Sequence, residues 1–214
     1  ATAYNFLSIA YVHKAIDLDT KGGNPAISVK VIQQGIYEPH KATRDCNEIR
    51  HDLGIPEDCK VVISFGHIRD GKNLDLIIRA LAQVENCHLI VAGAEMSETQ
   101  KPAQYYIDLA NELNVSDRCH FIIGFVPHEE ASSLIAASDI IALTYSKTFV
   151  SASSALNYMA PYRKSVIASS GDGPLKVAMS NYDIGRWVDP DNLDSLRSAL
   201  IELVEESTER NDWD

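Results

Sequence analysis

From residue 58 onward the chain alternates short apolar runs with longer stretches of helical spacing. Residues 61–65, 88–92, 120–123, 140–143 and 166–169 are nearly uninterrupted in apolar side chains. That is the pattern of strands whose two faces are both covered by helices in a parallel sheet. Between them, residues 74–84 place Leu74, Ile77, Ile78 and Leu81 on one helical face, and residues 102–113 do the same with Tyr106, Leu109, Ala110 and Leu113. Further helices are predicted over 129–137, around 153–160 and over 193–205, the last repeating Leu193, Leu196, Leu200, Leu203 and Val204. The predicted order βαβαβαβαβα describes a doubly wound α/β domain.

The first 57 residues lack this rhythm. Lys21-Gly22-Gly23-Asn24-Pro25 predicts a turn or linker, 29–32 a short strand, 33–39 a loop, and 42–53 a helix leading into the main domain. Residues 1–20 make a poor core and read as the end of a preceding element. The expected organisation is an interdomain segment with a remnant of an N-terminal domain over 1–57, a ligand-binding domain over 58–206, and an acidic tail over 207–214.

Composition narrows the function. Thirty acidic against nineteen basic residues give 214 residues a formal charge of -11. This argues against nucleic acid or an anionic membrane as partner, so a bound phosphate needs a local basic cluster. No apolar run reaches membrane-spanning length, and ATAYNFLSIA lacks the basic region and apolar core of a signal peptide, so a soluble chain is expected. Three of the four cysteines, Cys59, Cys87 and Cys119, open the runs CKVVISF, CHLIVAG and CHFIIGF. Zinc is the tempting reading. The lack of a Cys-x-x-Cys pair, and strand starts that face away from the expected crevice, favour reduced, partly buried thiols and no metal.

The most informative segment is VVISFGHIRDGKNLDLIIRAL, residues 61–81. A buried strand ends at Gly66, a polar loop carries Arg69 and Lys72, and a helix begins near Asn73. Strand C-terminal ends and the next helix N-termini border the crevice of such sheets, where an anion is favoured. Gly66-x-x-x-x-Gly71-Lys72-Asn73 comes within one residue of a Walker A loop, but Asn73 lacks the hydroxyl that holds Mg²⁺. Asp139 precedes its apolar strand rather than ending it, so a Walker B partner is also missing. No Gly-x-Gly-x-x-Gly follows any strand.

Read together, these blocks resemble the donor-binding half of the GT-B glycosyltransferases, family 4 in particular, from about Val29 to Glu205. FGHIRDGKNLDLIIRAL resembles the Phe-Gly-x-Ile-Arg-x-x-Lys-Gly block. LIVAG resembles the second strand, and VSDRCHFIIGFVPHEEASSLIAASDIIAL the stretch of Val-x-Phe-x-Gly-x-Val-Pro, helix and Ala-Asp. KSVIASSGDGP resembles Lys-Pro-Val-Ile-Ala-Ser with a Gly turn, and VKVIQQGI the Val-Ile-Pro-x-Gly joint, with Ser165 and Gln33 in place of Pro.

The resemblance implies a Rossmann-like sheet forming the C-terminal half of a GT-B fold. It also implies a nucleoside diphosphate sugar (NDP-sugar) as donor substrate, retaining transfer to a glycan or lipid acceptor held by an N-terminal domain, and no metal or other cofactor. The catalytic basic pair is then Arg69 and Lys72, gripping the diphosphate, with Gly66 at the strand end. Gly93 matches the loop bordering the same pocket, and Gly124, Phe125 and Val126 match the backbone that holds the base; the Phe125 side chain could equally be core packing. It further implies a role in polysaccharide biosynthesis and a cytoplasmic location, including the inner face of a membrane for the full-length enzyme.

One departure matters. Many relatives carry Glu-x₇-Glu after the fourth strand, where this chain reads TYSKTFVSASSALNYMAPYRKSV. Depending on a one-residue gap, Phe149 or Val150 replaces the first Glu and Asn157 or Tyr158 the second. No carboxylate lies between Asp139 and Asp172. Some branches use a Tyr after the strand and small residues at the helix start, roles open to Tyr145 and to Ser153, Ser154 and Ala155; the serines also read as plain caps. Two functions follow: the donor domain of a transferase that is inactive alone, or a nucleotide-sugar-binding or interaction module without chemistry.

Overall fold

The computed structural model describes residues 9–12, 28–31 and 35–206. The turn expected at 21–25 and the tail at 207–214 lie outside the described residues. Strands β1 (Ile9–Val12) and β2 (Ser28–Val31) pair in parallel as a two-stranded sheet.

The main sheet has six parallel strands. They are β3 (Lys60–Phe65), β4 (Cys87–Gly93), β5 (Cys119–Ile123), β6 (Ile140–Thr144), β7 (Ser165–Ser169) and β8 (Gly185–Trp187). Their order across the sheet is β5-β4-β3-β6-β7-β8. Chain progression reverses between β3 and β6, where Val62 pairs with Ile140 and Ile63 with Ile141. In a doubly wound sheet this reversal opens a crevice beyond the strand C-termini.

The helices α1 (Cys46–Asp52), α2 (Leu74–Leu81), α3 (Ala103–Glu112), α4 (His128–Ala136), α5 (Ser154–Met159), α6 (Pro174–Asn181) and α7 (Leu193–Glu205) cover both faces. Alternate residues of each strand serve opposite layers, which is why the runs read as continuously apolar. Val62, Leu89 and Val91 pack with Ile78, Leu81, Tyr106 and Leu200. Val61, Ile63, Ile90 and Ala92 pack with Ile49, Leu134, Ile135 and Met159.

Two elements go beyond the expected pattern. Helix α6 begins with Pro174 at its first position, and β8 is an edge strand of three residues. Helix α1 starts four residues later than the pattern predicts. The Asp45 carboxylate accepts from Asn47 N–H at 2.8 Å and caps the helix there. Among the described residues no helix is long and apolar enough to cross a membrane.

At the base of the sheet, Asp139 is a structural anchor. Its Oδ2 accepts from Arg50 of α1 at 2.7 Å and from Val61 N–H of β3 at 2.8 Å. Arg50 Nε also donates to the Ala137 carbonyl at 2.9 Å. His88 and His120 share a hydrogen bond of 3.0 Å near the N-terminal ends of β4 and β5. Among the described residues no three Cys, His, Asp or Glu side chains gather as metal ligands.

Candidate functional site

A cavity of about 800 Å³ opens at the C-terminal ends of β3, β4 and β5. All eleven residues singled out from the sequence line it: Gly66, Arg69, Lys72, Gly93, Gly124, Phe125, Val126, Tyr145, Ser153, Ser154 and Ala155.

The turn between β3 and α2 builds its basic side. Asp70 to Lys72 form a single 3₁₀ turn, and Asn73 closes it at φ 52° before α2 begins. The turn is fastened from three directions. Thr144 Oγ1 donates to the Lys72 carbonyl at 3.0 Å, Ser146 N–H to the Gly71 carbonyl at 3.0 Å, and Asn73 Nδ2 to Asp191 Oδ1 at 2.8 Å. Asp191 Oδ2 also accepts from Lys147 N–H at 3.1 Å, tying the β6 loop to the same point.

Lys72 is 9% exposed, and its ammonium donates to the Phe65 carbonyl at 2.6 Å. Burial, with the Arg69 guanidinium adding to it, lowers the Lys72 pKa to about 7. Arg69 lies 5.6 Å from the Tyr145 ring centroid and 5.4 Å from that of Phe149, and those two rings stack at 4.1 Å. Neither cation forms an ion pair among the described residues. Two neighbouring cations without carboxylate partners, one of them buried, favour an anion beside them.

Gly93 sets the other edge. A Cβ there would stand 2.3 Å from the Gly66 carbonyl oxygen, so the two strand ends approach only because residue 93 has no side chain. Phe125 is 86% exposed at the mouth, which excludes the core-packing alternative. Tyr145 is buried, which raises its pKa, and its hydroxyl shares a 3.1 Å hydrogen bond with Ser153 Oγ. Ser153 Oγ also accepts from Leu156 N–H at 3.2 Å, so this serine caps α5.

The sequence reading missed a third wall. Tyr37, Glu38 and His40 reach the cavity from the segment before α1, beside Phe65, His128 and Tyr158. Tyr158 stacks on Phe65 at 5.5 Å, His40 stacks on His128 at 4.3 Å, and His128 Nδ1 lies 3.2 Å from the Tyr158 hydroxyl. No periodic pattern marks residues 35–44. Only the exchange of a family carboxylate for Asn157 or Tyr158 hinted that this side of the pocket is rebuilt.

Comparisons with known proteins agree on kinship. The family model for glycosyl transferases group 1 matches residues 45–214. D-inositol 3-phosphate glycosyltransferases of Mycobacterium tuberculosis and Mycobacterium bovis are 28% identical over 179 residues, covering 78% of this chain and 36% of theirs. The chain thus spans about a third of the length of those curated relatives. WaaG, a glycosyltransferase involved in lipopolysaccharide biosynthesis, shares the fold at a TM-score of 0.69 and 22% identity, over 92% of this chain and 53% of its own. HepE from Anabaena, solved in complex with UDP and glucose, superposes at a TM-score of 0.73 and 19% identity, over 95% of this chain and 55% of its own.

Proposed function

Because the chain belongs to the glycosyl transferases group 1 family, we propose that it is the donor-binding part of a glycosyltransferase, in the C-terminal half of a GT-B enzyme. The donor is a nucleotide-sugar, and transfer to a glycan or lipid acceptor retains anomeric configuration without a metal. The observation that carries this reading is the pairing of Arg69 with the buried Lys72, free of carboxylate partners, at the reversal point of the sheet. A diphosphate spreads its charge over several oxygens and takes two cations to hold. Charge grows on those oxygens as the bond to the sugar breaks, so fixed cations stabilise the transition state more than the bound donor.

The remaining residues orient. Gly66, Gly93 and Gly124 keep side chains out of the crevice, and Val126 with the backbone around Phe125 borders the base. Tyr145, fixed by Ser153, supports Arg69 from below. Ser154 and Ala155 leave the start of α5 small where it faces the cavity. Acceptor binding and closure over the donor belong to the part of the enzyme that corresponds to the rest of the relatives' length. This chain alone therefore binds donor and transfers poorly, because the acceptor is unpositioned and the sugar faces water. The expected location is the cytoplasm, with the full enzyme reaching a membrane surface when its acceptor is a lipid.

A second reading has one observation in its favour. Whether Phe149 or Val150 stands for the first family glutamate and Asn157 or Tyr158 for the second, neither position carries a carboxylate, which suits a module that binds nucleotide-sugar without chemistry. The test is release of nucleoside diphosphate with EDTA present, by this chain and by the chain extended to the relatives' length. Acceptor-dependent release by the extended protein, with the product's anomeric configuration retained by NMR, supports the transferase. Release that requires added Mg²⁺, or none with any acceptor, contradicts it.

A further inference from the structure

We propose that Asp191, which stands outside the cavity lining, is a positioning residue for the basic pair: it locks the turn of Lys72 to the loop that seats Arg69, and so sets the spacing of the two cations. The inference rests on the diphosphate reading of the cavity. Asp191 reaches two loops with one carboxylate. Its Oδ1 accepts at 2.8 Å from Nδ2 of Asn73, the residue that follows Lys72. Its Oδ2 accepts at 3.1 Å from Lys147 N–H, in the loop whose Tyr145 and Phe149 rings lie beside the Arg69 guanidinium. The far end is held by packing. Helix α7 begins two residues after Asp191 and lies against α2 in the layer of Ile78, Leu81, Leu196 and Leu200.

Taken by itself, this bond is locally unfavourable. Asn73 and Asp191 both stand in the left-handed region, at φ 52° and 60°. Asn73 occupies the N-cap of α2, yet its side chain makes no cap hydrogen bond and turns to Asp191 instead. A carboxylate near a site for anions also opposes binding by its charge. Strained backbone persists where surrounding contacts over-determine it, and such positions gather at ligand sites. Asparagine at 191 would avoid the charge, but it presents a single acceptor oxygen where two N–H donors converge. Aspartate accepts from both. What Asp191 contributes to the site is therefore geometry, against the sign of its charge.

The test is calorimetric, with whichever of UDP, GDP and ADP binds the wild-type chain. Asp191→Asn should weaken it about fivefold and Asp191→Ala about tenfold, the scale of one lost hydrogen bond and of two. Asn73→Gly, which takes φ 52° without strain, should also weaken it about fivefold. Asp191 is exposed, so the chain should stay folded; should Asp191→Ala unfold, the other two variants, which each keep one of the two contacts, decide. In a Lys72→Ala background, Asp191→Ala should add less than about twofold, because spacing matters only when both cations are present. Unchanged or improved affinity in the Asp191 variants, the result of merely removing a negative charge, overturns this proposal alone. So does an equal loss with and without Lys72, which marks general loosening. Absence of binding by all three diphosphates to wild type overturns the reading of the cavity and this proposal with it.

Discussion

The Lys72 ammonium donates to the carbonyl of Phe65 at 2.6 Å, so the cation that closes the β3–α2 turn is held by the last residue of the strand that enters it. That single acceptor leaves the ammonium directed at the cavity with most of its solvation gone. A pKa near 7 is the consequence.

Binding of a diphosphate should therefore take up a proton. The anion favours the charged lysine and raises its pKa, so affinity is full below pH 7 and declines as pH rises above it. Titration of a nucleotide-sugar at pH 8, in buffers of different ionisation heat, should show uptake of most of one proton. Lys72→Arg should show none, since a guanidinium stays charged. In the empty chain the lowered pKa opposes folding: the unfolded state binds more protons between pH 7 and 10.5, and the cost is full below pH 7. Lys72→Met should accordingly raise the neutral-pH unfolding temperature while weakening donor binding by about 10- to 150-fold.

Glycine substitutions should separate close approach from open space. Gly93→Ala would drive a Cβ to 2.3 Å from the Gly66 carbonyl at a φ of 151°. A loss of about 3 kcal/mol in urea unfolding is expected, with donor affinity falling as the strand ends part. Gly124→Ala meets no atom within 4 Å and should cost only the backbone term, about 1–2 kcal/mol.

Asp139→Ala leaves Arg50 and the Val61 N–H without their shared acceptor at the base of the sheet. With both side chains under a fifth exposed, a loss of about 2–4 kcal/mol is expected by chemical denaturation. Arg50→Met/Asp139→Leu should recover part of it, since a hydrophobic pair avoids desolvating charge.

Acid should weaken the fold through His120. Burial, with His88 beside it, lowers its pKa to about 4, so the neutral ring is the folded form. Between pH 6.5 and 4 the unfolded chain binds a proton that the folded chain does not, and stability falls across that window. His120→Phe should flatten the dependence in unfolding curves recorded from pH 7 to 4.

The four inner strands β3, β4, β6 and β7 were legible because each is buried on both faces and so carries an unbroken apolar run, and the half-buried edge strand β5 was legible because it keeps Phe121-Ile122-Ile123 in a row. Strand β8 was not, for Gly185–Trp187 is too short for a period, and α6 is masked by exposed residues such as Val177. The basic side of the site could be read because Arg69 and Lys72 follow a strand within one loop. The aromatic wall could not, because Tyr37 and His40 meet Tyr158 only through folding across more than a hundred residues. Asp139 shows the opposite case: its place before an apolar strand was visible, but its role required seeing α1 dock beneath the sheet.

The account turns on Arg69 and Lys72 forming a diphosphate site, and calorimetry with UDP-, GDP- and ADP-sugars in EDTA tests that most directly. One nucleotide series should bind the wild-type chain. Arg69→Ala and Lys72→Ala should each weaken it by about 10- to 150-fold, at unchanged circular dichroism, and together should abolish measurable heat. Wild-type affinity in the double variant, or a strict need for Mg²⁺, would contradict the assignment.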